Sequence, residues 1–439
     1  MKRILSLLAL VAGGLVPQAE PLVFPVETAT LKNGMKVLLH EDHSIPNVAL
    51  YIFFKVGSRN ERPGITGLSH FFEHMMFNGA KKYGPHMFDR AMENSGGSNN
   101  AYTSNDVTVY QDWFPSEMLE LILDLEGDRI RDLNFDPKMV DSERGVVASE
   151  RRTSVDNNNF GVLNEQFQAA AFIAHPYHWP VIGWMSDIQA WTLQDLKAHF
   201  SMGYAPNNAV MVVAGNVAAS GFLKLAEKYI GSIPRRDPPP AVRTVEPEQM
   251  GERRIRVEKF AQTPIVMMGW HVPETANPDY YPLSILQVIL LNGESSRLYR
   301  RLVDKDQLAI SIDGGMSQSF DPMLFSITAQ PREGIGPEKV EAALYEELDR
   351  VRKDLVDEKE LQKAKNTLLA QFYRSMKTIS GQANTLGSYE IFFGDYRKLL
   401  EAPDLFEKVS RDDLKRVAQK YFSEKNRTVA TLIPAKEAK

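Results

Sequence analysis

The chain repeats itself, and that repeat limits what it can fold into. Asp195-Leu196-Lys197-Ala198-His199-Phe200 and the apolar run Ala209 to Ala214 are echoed by Asp413-Leu414-Lys415, Tyr421-Phe422 and the run Thr428 to Ile433. The step from Asp195 to Asp413 is 218 residues, and the same step carries Pro46-Asn47-Val48 onto Pro264-Ile265-Val266. Asp136-Pro137-Lys138 answers to Asp357-Glu358-Lys359 at a step of 221, so a small insertion intervenes. Between the copies stand five prolines from Pro234 to Pro247, including Pro238-Pro239-Pro240. Such a stretch enters neither a helix nor a central strand and reads as a linker.

The fold must therefore be one that can be built twice. Each half reads as a strand pair, a helix, a long helical stretch, and a closing helix and strand. Strand signals are Val48 to Val56 and Ile265 to Trp270. Helical ones are Met118 to Arg131, Pro137 to Arg152 and Val340 to Met376. The expected class is α+β, with two duplicated domains at 22–233 and 255–437, joined by a linker at 234–254. Each is expected to hold a mainly antiparallel sheet with helices packed on one side.

At 439 residues the chain exceeds one ordinary core, and a net charge of −5 gives no reason to expect nucleic acid. The absence of cysteine removes disulfides and thiolate metal sites, leaving His, Asp and Glu as ligands. Met1-Lys2-Arg3, then Ile4 to Val16 with Ala19 beyond, reads as an export signal over residues 1–19. That run is short for a membrane span and no later stretch is long enough, so the expectation is an exported, periplasmic protein without a span.

His70-Phe71-Phe72-Glu73-His74 carries the chemistry. On a helix, residues i and i+4 share a face, so both imidazoles reach one ion, and Glu73 projects beside them. Thr66 is placed to cap this helix and Gly79 to end it. An ion that acidifies water next to a carboxylate that takes its proton is the minimal apparatus for amide hydrolysis. A third ligand is required. Asp136-Pro137 opens a helix bearing Glu143 and Glu150, two turns apart on one face. By spacing alone these are either a solvated face or a ligand and its supporting acid. Every histidine except His271 precedes the linker, so the second half cannot hold a copy of the site.

Further segments point the same way: Gly57-Ser58-Arg59-Asn60-Glu61, Asn100-Ala101-Tyr102-Thr103-Ser104, His175-Pro176-Tyr177 and Tyr204-Ala205-Pro206-Asn207-Asn208. With the His-x-x-Glu-His motif and the Glu143/Glu150 pair, they make the chain resemble the pitrilysin/insulinase zinc peptidases along nearly its whole length. The resemblance implies one Zn2+ held by His70, His74 and Glu150. It also implies Glu73 as general base, Glu143 as the acid that orients an imidazole, and Asn100 and Ala101 on a strand that receives an extended peptide. By pattern alone, Asn99 to Tyr110 suits either an edge strand or an ordinary internal one.

In many members of the family a far wall supplies an Arg and, seven residues on, a Tyr. Val303 and Ile310 stand in those places here. Neither donates a hydrogen bond; Arg300 or Arg301 is the candidate substitute for the arginine, and the tyrosine has no stand-in. The chain is therefore expected to be the zinc-bearing subunit of a heterodimer, its partner related but lacking the zinc motif. A homodimer, a non-catalytic assembly subunit and a peptidase dedicated to one precursor are the alternatives.

Overall fold

A computed structural model describes residues 24–435. The segment read as an export signal lies outside the described residues. Six strands form the first sheet: β1 (Glu27–Thr30), β2 (Lys36–Glu41), β3 (Asn47–Phe54), β4 (Ser98–Thr103), β5 (Thr108–Pro115) and β6 (Ala209–Gly215), in the order β1-β2-β6-β3-β5-β4. Five form the second: β7 (Arg253–Lys259), β8 (Ile265–Val272), β9 (Ala309–Gly315), β10 (Met323–Pro331) and β11 (Arg427–Pro434), in the order β7-β11-β8-β10-β9.

Without β1 the two orders are the same. Each contains one parallel pair, β2 with β6 and β7 with β11, and is otherwise antiparallel. The duplication reaches down to helix caps. Thr192 forms a capping box with Asp195, and Ser410 forms one with Asp413. Asp136 accepts from the amides of Lys138 and Met139, and Asp357 accepts from that of Lys359.

Two expectations are revised. Val340 to Met376 is not continuous: helices Pro337–Lys353 and Glu358–Ser375 meet at a break where Asp357 starts the second. Nor are the helices confined to one side of each sheet. Val48, Leu50, Ile52 and Phe54 of β3 pack into the first half's own core, while Ala49, Tyr51 and Phe53 face a core shared with the second half. Both faces of the strand are buried, which is why its sequence is a continuous apolar run rather than an alternating one.

The covering elements are exchanged. Helix Ile379–Phe392, from the second half, lies on β3 and β6. The helix Asn159–Ala171, from the first half, lies on β7, β8 and β11. Each approach needs a glycine. A Cβ on Gly387 would stand 2.0 Å from the Phe53 ring, and one on Gly269 would stand 2.6 Å from the Phe167 ring. Residues 234–252 carry no helix or strand, yet they are tied down: Glu246 accepts from the amides of Ile173, Ala174 and His175. No helix among the described residues is long and apolar enough to cross a membrane.

Candidate active site

The motif lies on α1 (Leu68–Met75), whose buried face is Leu68, Phe71, Phe72 and Met75. Its start is not capped by Thr66. The N-cap is Gly67, at φ 89°, where a Cβ would stand 2.4 Å from the Ile182 carbonyl oxygen. Glu61 takes the capping role, accepting from the amides of Gly67 and Ser69, each at 2.7 Å. These are orphan donors of the first turn; burial pushes the Glu61 carboxyl up to about 8, and the two amide bonds act against that shift. The Thr66 hydroxyl instead donates to Asp187 at 2.8 Å. Gly79 lies beyond the helix end, at φ 101°. Two buried tyrosines hold the helix laterally, Tyr204 donating to the Ser69 carbonyl at 3.0 Å and Tyr110 to the Phe72 carbonyl at 2.8 Å.

After α2 (Met87–Asn94) and α3 (Leu119–Asp132), α4 (Pro137–Arg151) brings its two glutamates against α1. Glu150 lies 3.7 Å from His70 Nε2 and 3.4 Å from His74 Nε2. The donor atoms of these three residues all fall within 4.8 Å of one another. A tetrahedral zinc with ligands at about 2.0–2.2 Å holds them roughly 3.4 Å apart, so these residues fit the ion. Glu143 meets the other ring nitrogen of His74, Nδ1, at 2.8 Å, and accepts from Asn78 at 2.5 Å.

Electrostatics separates the two rings. Burial pushes His70 down to about 3, with the neighbouring His74 charge adding to it, so His70 is a neutral donor at pH 7. At His74 burial also opposes charge, but the Glu143 hydrogen bond and the Glu143, Glu150 and Glu73 carboxylates outweigh it and raise the pKa. Burial raises that of Glu73, in the direction that favours proton uptake. Its carboxylate accepts from the Thr103 hydroxyl at 2.6 Å.

Thr103 ends β4, and β4 is the edge of its sheet. Across the β4–β5 turn the Ser104 amide donates to the Val107 carbonyl at 2.8 Å. Antiparallel alternation then turns the main-chain N–H and C=O of Asn99, Ala101 and Thr103 away from β5. Ala101 thus offers an open backbone. That of Asn100 is directed to Gln111, leaving only its exposed side chain. A cleft of ≈ 410 Å³ runs along this edge, lined by Glu73, His74, His86, Asn99, Asn100 and Ala101 among others.

On the second half, Val303 is buried in the core and Ile310 is exposed on the edge strand β9. Arg301 is committed to Asp306, Glu346 and Glu347. Sequence reading missed Glu61, Thr103, Tyr110 and Tyr204. Glu61, Thr103 and Tyr204 stand in segments quoted for the resemblance, but nothing local in those segments shows what they touch.

Comparison with known proteins places the chain in a family. The family model "Insulinase (Peptidase family M16)" matches residues 36–183, and "Peptidase M16 inactive domain" matches 190–368. The chain is 32% identical over 442 residues to the zinc protease PqqE of Helicobacter pylori, with 99% of each covered. It is 27% identical to mitochondrial-processing peptidase subunit beta of Lentinula edodes, over 92% of this chain and 89% of that one. A crystal structure of a protease from Helicobacter pylori superposes with a TM-score of 0.91 and 32% identity, covering 94% of this chain and 100% of that chain. The chain belongs to the insulinase family, peptidase family M16.

Proposed function

We propose that this chain is a zinc endopeptidase that cleaves extended, unfolded peptides, with His70, His74 and Glu150 holding the ion. Zinc supplies an acidified water and polarises the scissile carbonyl when bound. The chain's own residues do the rest. The open edge of β4 at Ala101, with the Asn100 side chain beside it, aligns the peptide main chain. Glu73, beside the ligands without being one of them, takes a proton and returns it to the leaving amine. Glu143 fixes the ring of His74 with Nε2 towards Glu150, where it would hold the ion.

The observation that carries this reading is the meeting of His70, His74 and Glu150 within 4.8 Å, beside an open edge strand. Its test is Glu73→Gln. The variant is expected to keep zinc, measured by metal content, and to lose about 10²–10⁴-fold in cleavage of an unstructured peptide. A variant that cleaves like the parent rejects the mechanism.

We further propose that the chain works as the zinc-bearing subunit of a closed two-subunit chamber. Val303, buried, and Ile310, exposed and apolar, stand where the resemblance places an Arg and a Tyr, and neither side chain can donate to a developing oxyanion. Its partner would supply an Arg and a Tyr. The similarity to a protein named as a subunit is consistent with such an assembly, and with a dedicated processing role. The purified chain is expected to cleave poorly until that partner is added. Full turnover by the homogeneous, zinc-loaded chain alone sinks the assembly. Export to the periplasm rests on the two basic residues and apolar run at the N-terminus.

A further inference from the structure

We infer that Thr103 is a positioning residue through which a peptide seated on β4 fixes the direction of the Glu73 carboxylate; this deepens, and rests on, the peptidase reading above. Thr103 Oγ1 donates to Glu73 Oε2 at 2.6 Å, the one side-chain hydrogen bond that this carboxylate receives among the described residues. The helix alone leaves the end of a glutamate free to turn, so the hydroxyl selects its orientation. Thr103 is also β-branched, which restricts its own χ1 and makes its hydroxyl a stiff donor.

The same residue belongs to the row whose main-chain groups face the open edge, with Asn99 and Ala101. A peptide added to β4 therefore runs along Ala101 towards Thr103, whose hydroxyl and main-chain amide both act on the Glu73 carboxylate. Binding and base orientation meet in one residue.

The turn beyond it is anchored. Asp106, buried three residues on, accepts from the Tyr177 hydroxyl at 2.7 and 2.8 Å and from the Phe320 amide of the second half at 3.2 Å. Arg59 stands 3.4 Å from its carboxylate and 2.7 Å from that of Asp321. These contacts pin the C-terminal end of β4 to both halves, so Thr103 cannot drift when the edge is loaded.

The test compares Thr103→Val, which keeps the shape and the main-chain amide but deletes the hydroxyl donor, with Thr103→Ser, which keeps the hydroxyl. Crystal structures of the full-length variants give a reading independent of turnover. In Thr103→Val the Glu73 carboxylate is expected to leave its place while His70, His74 and Glu150 stay; in Thr103→Ser it is expected to remain. On an unstructured quenched-fluorescent peptide, with zinc content unchanged, Thr103→Val is expected to lose about 10²-fold in kcat. KM should change little, and Thr103→Ser should recover most of the rate. An undisplaced Glu73 in Thr103→Val, or a kcat within about twofold of the parent, overturns the inference. Loss of zinc or of the fold in Thr103→Val with Thr103→Ser equally impaired also overturns it, because the role is then merely structural. Turnover is read on the parent and variants with the partner subunit added; if that assembly cleaves no peptide the peptidase reading fails, and the pair of crystal structures still decides the role of Thr103.

Discussion

His74 is gripped at both ring nitrogens, with Glu143 2.8 Å from Nδ1 and Glu150 3.4 Å from Nε2. The first contact sets the tautomer and leaves Nε2 free to donate its lone pair to an ion. Glu143→Ala is therefore expected to weaken zinc retention about 10–100-fold, measured as release to a competing chelator, with little change in fold. A second histidine supports the same helix from behind. His199 Nε2 lies 3.0 Å from Ser69 Oγ, and its ring stacks on Phe72. Burial pushes His199 down from 6.5 to about 4. The folded pKa is the lower one, so the unfolded chain takes up the proton first as pH falls. The contribution to stability is whole above pH 6.5 and drains away between 6.5 and 4. From pH 7.5 to 5 the loss is about 2 kcal/mol. Urea unfolding of the parent and of His199→Gln is expected to show a gap that narrows by that amount, since glutamine does not titrate. His70, Glu73 and His74 were legible as a group because spacing on one helix carries them, whereas Glu150 was singled out only through the resemblance. Thr103 was not legible, because its partner Glu73 is 30 residues away and only sheet-on-helix packing joins them.

The first turn of α1 is where local sequence and final structure part. A threonine just before an apolar helical face reads as a cap, but Thr66 is drawn to Asp187 and Glu61 folds back over the helix start. Glu61→Ala leaves the Gly67 and Ser69 amides buried without partners, so a loss of about 1–3 kcal/mol in urea unfolding is expected. Gly67→Ala is expected to cost more than about 1 kcal/mol in the same assay, because alanine at positive φ is strained and its Cβ meets the Ile182 carbonyl. The cap at Asp136 was readable and its counterpart at Asp357 repeated in the sequence, because both close within three residues. The break between the helices Pro337–Lys353 and Glu358–Ser375 was hidden because apolar positions continue through it, Leu355 and Val356 included.

At the scale of the whole molecule the two halves cover each other. Helix Ile379–Phe392 hides Tyr51 and Phe53 of the first sheet, and helix Asn159–Ala171 hides Ile265 and Met267 of the second. Residues 22–233 produced alone are expected to expose that apolar face and to bind a hydrophobic dye, where the full chain does not. Gly387→Leu drives a side chain into Phe53 and is expected to destabilise the full chain by about 1–3 kcal/mol in urea unfolding. The sequence by itself determined the duplication, the α+β class and the residues with the chemistry for a zinc site. Periodicity, helix spacing and repeated short-range caps are local, and they survive in one dimension. Only the tertiary structure decided the exchange of helices between the sheets, the open edge of β4 beside His70, His74 and Glu150, and the hydrogen bond from Thr103 to Glu73. Each of those depends on which distant surfaces are buried together, and apolar burial has no direction of its own.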